Sequence, residues 1–119
     1  MVKKFIGKIY WITPSIYSIP EEAKTDTNVC EIIRAIFIDN KLKLDWINGG
    51  IKLETVDNIN FQGVFNCEYD GSTITGGASG QLYNNKNGCL LIGKWVEEGI
   101  HFTWIAELKK VDKFLDEKK

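Results

Sequence analysis

Three segments of this chain share one pattern, in which a glycine lies two residues from a large apolar residue on either side. The segments are residues 5–9, 61–65 and 91–95. Alternate residues of a strand share one face, so each glycine lies between two bulky neighbours on that face. Glycine at such a position is typical of a sheet that bends or closes around a packed interior. The pattern therefore predicts a small, coiled antiparallel barrel, and it indicates no particular reaction.

Turn-forming dipeptides divide the chain into segments of strand length. Asp39-Asn40, Asn48-Gly49, Asp57-Asn58, Asp70-Gly71 and Glu98-Gly99 all tolerate the left-handed backbone that tight turns require. The predicted strands are 3–12, 30–39, 41–46, 51–56, 60–69, 73–83, 89–97 and 100–108, and we expect the sixth to be bulged at its glycines. Because most connections are short, the strands should form an up-and-down meander.

Two segments do not fit the strand pattern. Residues 13–29 are mostly polar and contain both prolines of the chain. A capping pattern from Ser18 to Glu21 predicts a short helix over about 19–25, within a mobile first connection that could cover one end of the barrel. Residues 109–119 have the apolar spacing of a short amphipathic helix, with a frayed, solvated end as the alternative.

Length and charge limit the classes of protein that this chain can represent. Its 119 residues suit one domain, residues 1–119, with enough apolar content to fold without disulfides or metal. The 15 basic and 16 acidic residues argue against nucleic acid or an anionic membrane as the main partner. No apolar run reaches the length of a membrane helix, and the N-terminal segment lacks a signal-peptide cleavage site. We therefore expect a cytoplasmic, all-β, eight-stranded antiparallel up-and-down barrel.

The cysteines and the single histidine provide no recognisable catalytic or metal motif. Cys30, Cys67 and Cys89 are widely spaced and form no Cys-x-x-Cys pair, so we expect reduced, packed cysteines and no metal or cofactor. A dyad of His101 with Cys67 or Cys89 would have no local signature. We predict no catalytic residue. The glycine-rich segment 76–80 continues as a strand, which favours a barrel corner over a phosphate-binding loop.

Arg34 is the only arginine, and it lies in an apolar strand. We expect it to point into the barrel, on the same face as Ile32 and Ile36, and to pair with a buried acid or a bound anion. The alternative is an outward position opposite an acid such as Asp45 or Glu31.

Aromatic residues supply the other candidate ligand-binding positions. These are Trp46, Trp95, Phe102 and Trp104. If Trp95 and Trp104 share the interior face of the last hairpin, they would either wall a pocket or fill a packed core. Glu97 and Glu98 are adjacent and so point to opposite faces, and one of them could face inward at the mouth of the barrel.

In motif and strand order the chain resembles the calycin-type barrels, namely lipocalins, fatty-acid-binding proteins and avidins. Residues 91–95 are similar to the Gly-x-Trp that closes such barrels, although there it lies on the first strand and here on the penultimate one. Residues 61–65 are similar to a strand pattern of avidin-like chains. The long first connection is similar to the lid of fatty-acid-binding proteins. The resemblance implies a barrel with an interior ligand site, and it names no ligand.

Three function classes follow from these observations. The first is a non-enzymatic barrel that binds an apolar or amphipathic small molecule in its interior, beneath residues 13–29. The second is a protein-interaction module with a filled barrel, which works through its outer surface or as an oligomer. The third, which we favour least, is an enzyme with acid–base groups at the barrel mouth. An interior cavity above about 300 Å³ would favour the first class.

Overall fold

The computed structural model describes residues 2–12, 27–84 and 86–114, and these form eight strands. The strands are β1 (Val2–Ile12), β2 (Thr27–Ile38), β3 (Lys41–Trp46), β4 (Gly49–Thr55), β5 (Asn60–Tyr69), β6 (Ser72–Asn84), β7 (Gly88–Glu97) and β8 (Ile100–Val111). Each pairs antiparallel with the next, and β1 also pairs with β8, which closes the barrel. The predicted all-β, eight-stranded up-and-down barrel is therefore confirmed.

The meander gives the barrel two ends, which we call the upper and the lower rim. Odd-numbered strands run toward the upper rim, where the turns at 47–48, 70–71 and 98–99 lie. The turns at 39–40 and 56–59 and residues 86–87 lie at the lower rim. Asp39, Asp70 and Glu98 have positive φ values of 56°, 53° and 49° at their turns, as the sequence pattern predicts.

The glycines of the repeated pattern point inward, where the backbone of a neighbouring strand passes close to them. A Cβ atom at Gly7 would collide with the carbonyl oxygen of Glu107, and one at Gly63 with that of Lys52. At Gly93 the obstruction would be the carbonyl oxygen of Ser79. Only glycine allows strands to approach in this way, so the pattern marks the positions where this sheet coils most tightly.

The interior is packed with apolar side chains from every strand. Along most strands alternate residues face inward, which gives the observed alternation of buried and exposed positions in β3, β4 and β8. The most completely buried large residues are Ile9, Leu42, Leu44, Ile51, Leu53, Phe61, Phe65, Leu91, Trp95 and Trp104.

Several predicted boundaries differ from the observed ones because of strand pairing. β2 begins at Thr27 rather than residue 30, since residues 27 and 28 pair with the end of β1. β8 continues to Val111, because residues 109–111 pair with the start of β1 where a helix was predicted. The predicted helix at 19–25 lies outside the described residues. The β3–β4 hairpin turns at residues 47–48, because Gly49 and Gly50 already pair with β3 as the first residues of β4.

The predicted bulge in β6 is wrong, and a register shift occurs elsewhere. β6 pairs without interruption with both β5 and β7, and its Gly76 and Gly80 make room for neighbours. At Gly80, for example, an added Cβ would press against the Trp104 ring. The shift lies between β1 and β2, where Phe5 pairs with Ala35 but Gly7 pairs with Ile32.

Candidate functional site: an aromatic cleft at the upper rim

A stack of aromatic rings fills the upper half of the barrel, with Trp95 at its centre. The Trp95 ring lies nearly parallel to Phe65, with 4.2 Å between centroids and an interplanar angle of 5°. Trp11 and Trp46 lie 5.8 and 6.2 Å from Trp95. Trp104 lies 6.4 Å away on the neighbouring strand. Offset ring pairs at these distances stabilise a core beyond the area that they bury.

The strand pattern brings these rings together. Trp11, Trp46, Phe65 and Trp95 belong to β1, β3, β5 and β7, which all run toward the upper rim. Each of the four side chains is on an inward-facing position near the upper end of its strand. Four aromatic residues that are far apart in the sequence therefore converge at one level of the barrel.

Above the stack, the barrel opens as a cleft of about 610 Å³ at the upper rim. We call it the upper cleft. It is lined by Trp11, Trp46, Asn48, Phe65, Cys67, Glu68, Ile74, Trp95, Glu97, Glu98 and Phe102. Five of these eleven residues are aromatic, and the charged groups among them are three glutamates. Cavities of this size and character commonly hold small molecules in proteins.

Glu97 is the polar group that is best placed to orient a ligand. The indole Nε1–H of Trp95 donates a hydrogen bond to Glu97 Oε1 at 3.2 Å. Burial raises the pKa of the Glu97 carboxyl, the Trp95 hydrogen bond partly opposes this, and the charge of Glu98 adds to it. Glu97 is half-buried and Glu98 is exposed in the turn, so of this pair it is Glu97 that faces the barrel mouth.

Cys67 lines the same cleft but is not activated as a nucleophile. Burial raises the pKa of its thiol, and the charge of Glu97 raises it further. A thiol with a raised pKa stays protonated at neutral pH and reacts poorly. His101 is exposed on the outward-facing row of β8, whereas Cys67 faces inward, so the barrel wall separates them. Cys89 lies near the lower rim and His101 near the upper rim, so a dyad of His101 with either cysteine is not assembled.

Three of the predicted ligand-binding residues line the upper cleft. Trp46, Trp95 and Phe102 all contribute to its wall. Trp104 belongs to the same ring stack but is fully buried, and it does not line the cleft. The two alternatives for the aromatic residues are both present, because the stack is a packed core whose upper edge forms the wall of an open cleft.

The predicted inward position of Arg34 is wrong. Ala35 and Ile32 both face the interior, and Arg34 lies opposite Asp45, on the outer face. The guanidinium carbon of Arg34 is 4.8 Å from the centroid of the Phe114 ring, and Lys4 Nζ is 5.4 Å from that centroid. This is the outward arrangement opposite a cross-strand acid, with an aromatic contact that the sequence did not indicate.

Sequence reasoning missed much of the cleft wall. Trp11 and Phe65 could have been included, because both continue the inward-facing row of a glycine-containing strand. Cys67 continues the same row as Phe65. The remaining lining residues, such as Asn48 and Ile74, approach the cleft through the hairpins at the upper rim, and no local signal indicates them.

Other kinds of site find no support in the residues described. Within residues 2–12, 27–84 and 86–114, no cluster of three or more His, Cys, Asp or Glu residues is placed to hold a metal ion. No helix in those residues is long and apolar enough to cross a membrane. No protein-family model matches the chain, and comparisons with curated proteins and with solved structures also found no match.

Proposed function

We propose that this protein is a non-enzymatic barrel that binds a small apolar or amphipathic molecule in the upper cleft. The observation that carries this proposal is the 610 Å³ opening at the upper rim, where five aromatic side chains form part of the wall. A planar apolar body would continue the ring stack above Trp95 and Phe65, which already pack at 4.2 Å. β1 ends and β2 begins at this rim, and residues 13–26 between them lie outside the described residues.

The charge of the upper cleft selects the polar end of the ligand. Among the residues that the structure describes, Glu68, Glu97 and Glu98 are its charged lining groups. An anionic ligand would be repelled, whereas an amine or a hydroxyl group could donate to the Glu97 carboxylate. Aromatic faces also attract organic cations. The ligand class that fits best is therefore a flat apolar molecule with a neutral or cationic polar end.

Three naphthalene probes test this proposal. They are 2-naphthol, 1-naphthylmethylamine and 2-naphthoate, which share an apolar body and differ in charge. We expect saturable binding in calorimetry, with the amine tightest and the carboxylate weakest. Cys67→Phe should abolish binding by filling the cleft, whereas Val64→Phe should not, because Val64 is exposed on the outer face of the same strand.

Two results would contradict the proposal. The first is the absence of saturable binding of all three probes to the folded protein. The second is equal affinity in the wild type and in Cys67→Phe, since a ligand in the upper cleft must compete with the added ring. A reversed charge order would contradict only the ligand class.

A second candidate function, self-association through the outer surface, has one observation in its favour. Ile92, Ile105, Tyr10 and Val29 are successive cross-strand neighbours on the outer face of β7, β8, β1 and β2. Val29 and Ile92 are 55% and 38% exposed. A continuous apolar row of this kind is typical of an interface between copies.

Sedimentation velocity tests this second function. If the row is an interface, the wild type should be an oligomer and Ile92→Lys should dissociate it, whereas Val64→Lys should have no effect. A monomeric wild type would exclude it. For cellular location, the three free cysteines favour a reducing compartment, and we propose the cytoplasm.

A further inference from the structure

The lower rim carries a second cleft, whose chemistry is opposite to that of the upper cleft. We call it the lower cleft. It has a volume of about 890 Å³. It is lined by Lys3, Phe5, Asn84, Lys86, Asn87, Gly88, Lys109, Lys110, Val111, Asp112 and Lys113. Its described lining contains five lysines and one aspartate, which together carry a formal charge of +4. Because the whole chain carries −1, the remainder of the molecule carries −5.

The fold brings these lysines together from three parts of the chain. Lys3 lies at the start of β1, Lys86 precedes β7, and the other three lie at or beyond the end of β8. Lys110 pairs with Phe5, so Lys3, Phe5 and Lys110 all belong to the inward-facing rows of β1 and β8. Lys3 and Lys110 therefore lie at the lower opening of the barrel, next to the buried Phe5 side chain, and the other three lysines line the same cleft.

These positive charges are not neutralised by the described part of the protein. Among residues 2–12, 27–84 and 86–114, none of the five lysines of the lower cleft makes a salt bridge with an acidic side chain. Like charges gathered in one concave surface repel one another, and a bound anion would remove that cost. Lysine ammonium groups are compact donors on flexible stems, which suits phosphoryl oxygens.

The backbone around the lower cleft is held in place. The Lys110 amide donates a hydrogen bond to the carbonyl oxygen of Asn87 at 3.0 Å, which joins the β6–β7 connection to β8. Phe114 is only 2% exposed and lies against Lys4 and Arg34. This contact anchors the segment that carries Lys113. A preorganised backbone lowers the entropic cost of binding.

We propose that the lower cleft binds a compact polyanion, a soluble small molecule with two or more phosphoryl groups. Its volume lies within the range of small-molecule sites. A nucleic acid fits less well, because Phe5 is the only aromatic residue among the described lining residues and it is buried, so the described lining offers no ring for base stacking. The −5 charge on the rest of the surface would also repel an extended polyanion. This site is independent of the function proposed for the upper cleft.

Calorimetric titration with inorganic tripolyphosphate at low ionic strength tests this proposal. We expect 1:1 binding that weakens as salt is added. The double variant Lys3→Gln, Lys110→Gln should weaken it by roughly tenfold or more, since each lysine supplies a charge-assisted hydrogen bond. The control is Lys52→Gln, Lys94→Gln, which removes the same charge from exposed positions outside the lower cleft. It should bind nearly as the wild type does.

Backbone amide spectra provide a second measurement that does not depend on the variants. Tripolyphosphate should shift the amides of residues 86–88 and 109–113 and leave those at the upper rim unchanged. Equal weakening by the two double variants would overturn the proposal. It would show that binding depends on the net charge of the protein and not on the lysines of the lower cleft. Absence of tripolyphosphate binding would also overturn it, including the case in which a DNA duplex or anionic vesicles bind instead.

Discussion

At Gly63, the backbone of β4 occupies the space in which any other residue would place its Cβ. The nearest atom would be the carbonyl oxygen of Lys52. Gly77 lies on the neighbouring strand β6. A Cβ atom added there would have no neighbouring atom within 4 Å, and the φ of Gly77 is not in the left-handed region. Two glycines of one sheet therefore differ in whether they are required by packing.

We expect Gly63→Ala to lower the free energy of unfolding by about 1–3 kcal/mol or more, since β4 and β5 must move apart. Gly77→Ala should be neutral or stabilising by about 0.5 kcal/mol, because it restricts only the unfolded chain. Urea denaturation of both variants measures this difference. Equal effects at the two positions would show that the close approach at Gly63 is not a constraint.

Trp95 is the centre of the ring stack and is 2% exposed. Its burial confirms the prediction made from its place in the glycine pattern. Replacement by alanine should cost about 3–5 kcal/mol, because it leaves a large cavity among rings that cannot collapse. Tyr83→Ala is the control, since that ring is half exposed. Chemical denaturation showing a loss below about 1 kcal/mol for Trp95→Ala would contradict the central position of this ring.

Arg34 shows where residue-level prediction from the sequence fails. Strict alternation from Ile32 would place Arg34 on the same inward face. The register shift between β1 and β2 changes this, since Ile32 and Ala35 both face inward although they are three residues apart. A shift of this kind depends on a partner strand that is distant in sequence, so it has no local signal.

At the scale of elements, turn chemistry predicted the strands well. The connection between β4 and β5 is a network centred on Asp57. Asp57 Oδ1 accepts hydrogen bonds from the amides of Ile59 at 2.9 Å and Asn60 at 2.8 Å. Thr55 Oγ1 donates to the Asn60 carbonyl at 2.7 Å. The Asp57-Asn58 dipeptide predicted this turn because such side chains stabilise their own backbone.

These hydrogen bonds hold the pKa of Asp57 well below its usual range, with the contacts to Asn60 contributing most. A depressed folded-state pKa adds stability above the unfolded value of about 3.9, and this is lost as the pH falls toward the folded value. Asp57→Asn should therefore lower stability at neutral pH, and its difference from the wild type should shrink in acid. Urea denaturation at several pH values measures this, and a constant difference would contradict it.

The two rims could not be predicted at the scale of the whole molecule. The lysines of the lower cleft lie at 3, 86, 109, 110 and 113, and appear scattered along the sequence. They meet because β1 pairs with β8 and the β6–β7 connection lies beside them. The upper cleft gathers glutamates by the same topology. A chain with a net charge of −1 therefore has a basic cleft at one end and an acidic cleft at the other.

The buried thiol of Cys89 should make the stability of the whole fold depend on pH. Burial raises the pKa of its thiol to about 11, with Lys3 opposing the shift. A raised folded-state pKa leaves stability intact below the unfolded value of about 8.5, and stability is lost as the pH rises toward 11. The unfolding free energy of the wild type should therefore fall across this interval, because the folded state must bury a thiolate or keep its proton.

Cys89→Ala tests this effect without a titratable group at the same position. The variant should be less stable than the wild type near neutral pH, by about 1 kcal/mol for the small cavity. The difference in unfolding free energy between the variant and the wild type should then shrink as the pH rises toward the pKa of the buried thiol, about 11. The difference between the two curves cancels the titration that both proteins share, so it isolates Cys89 and its interaction with Lys3. Parallel curves from pH 7 to the alkaline limit would show that the thiol titrates normally and that the lower part of the core admits water.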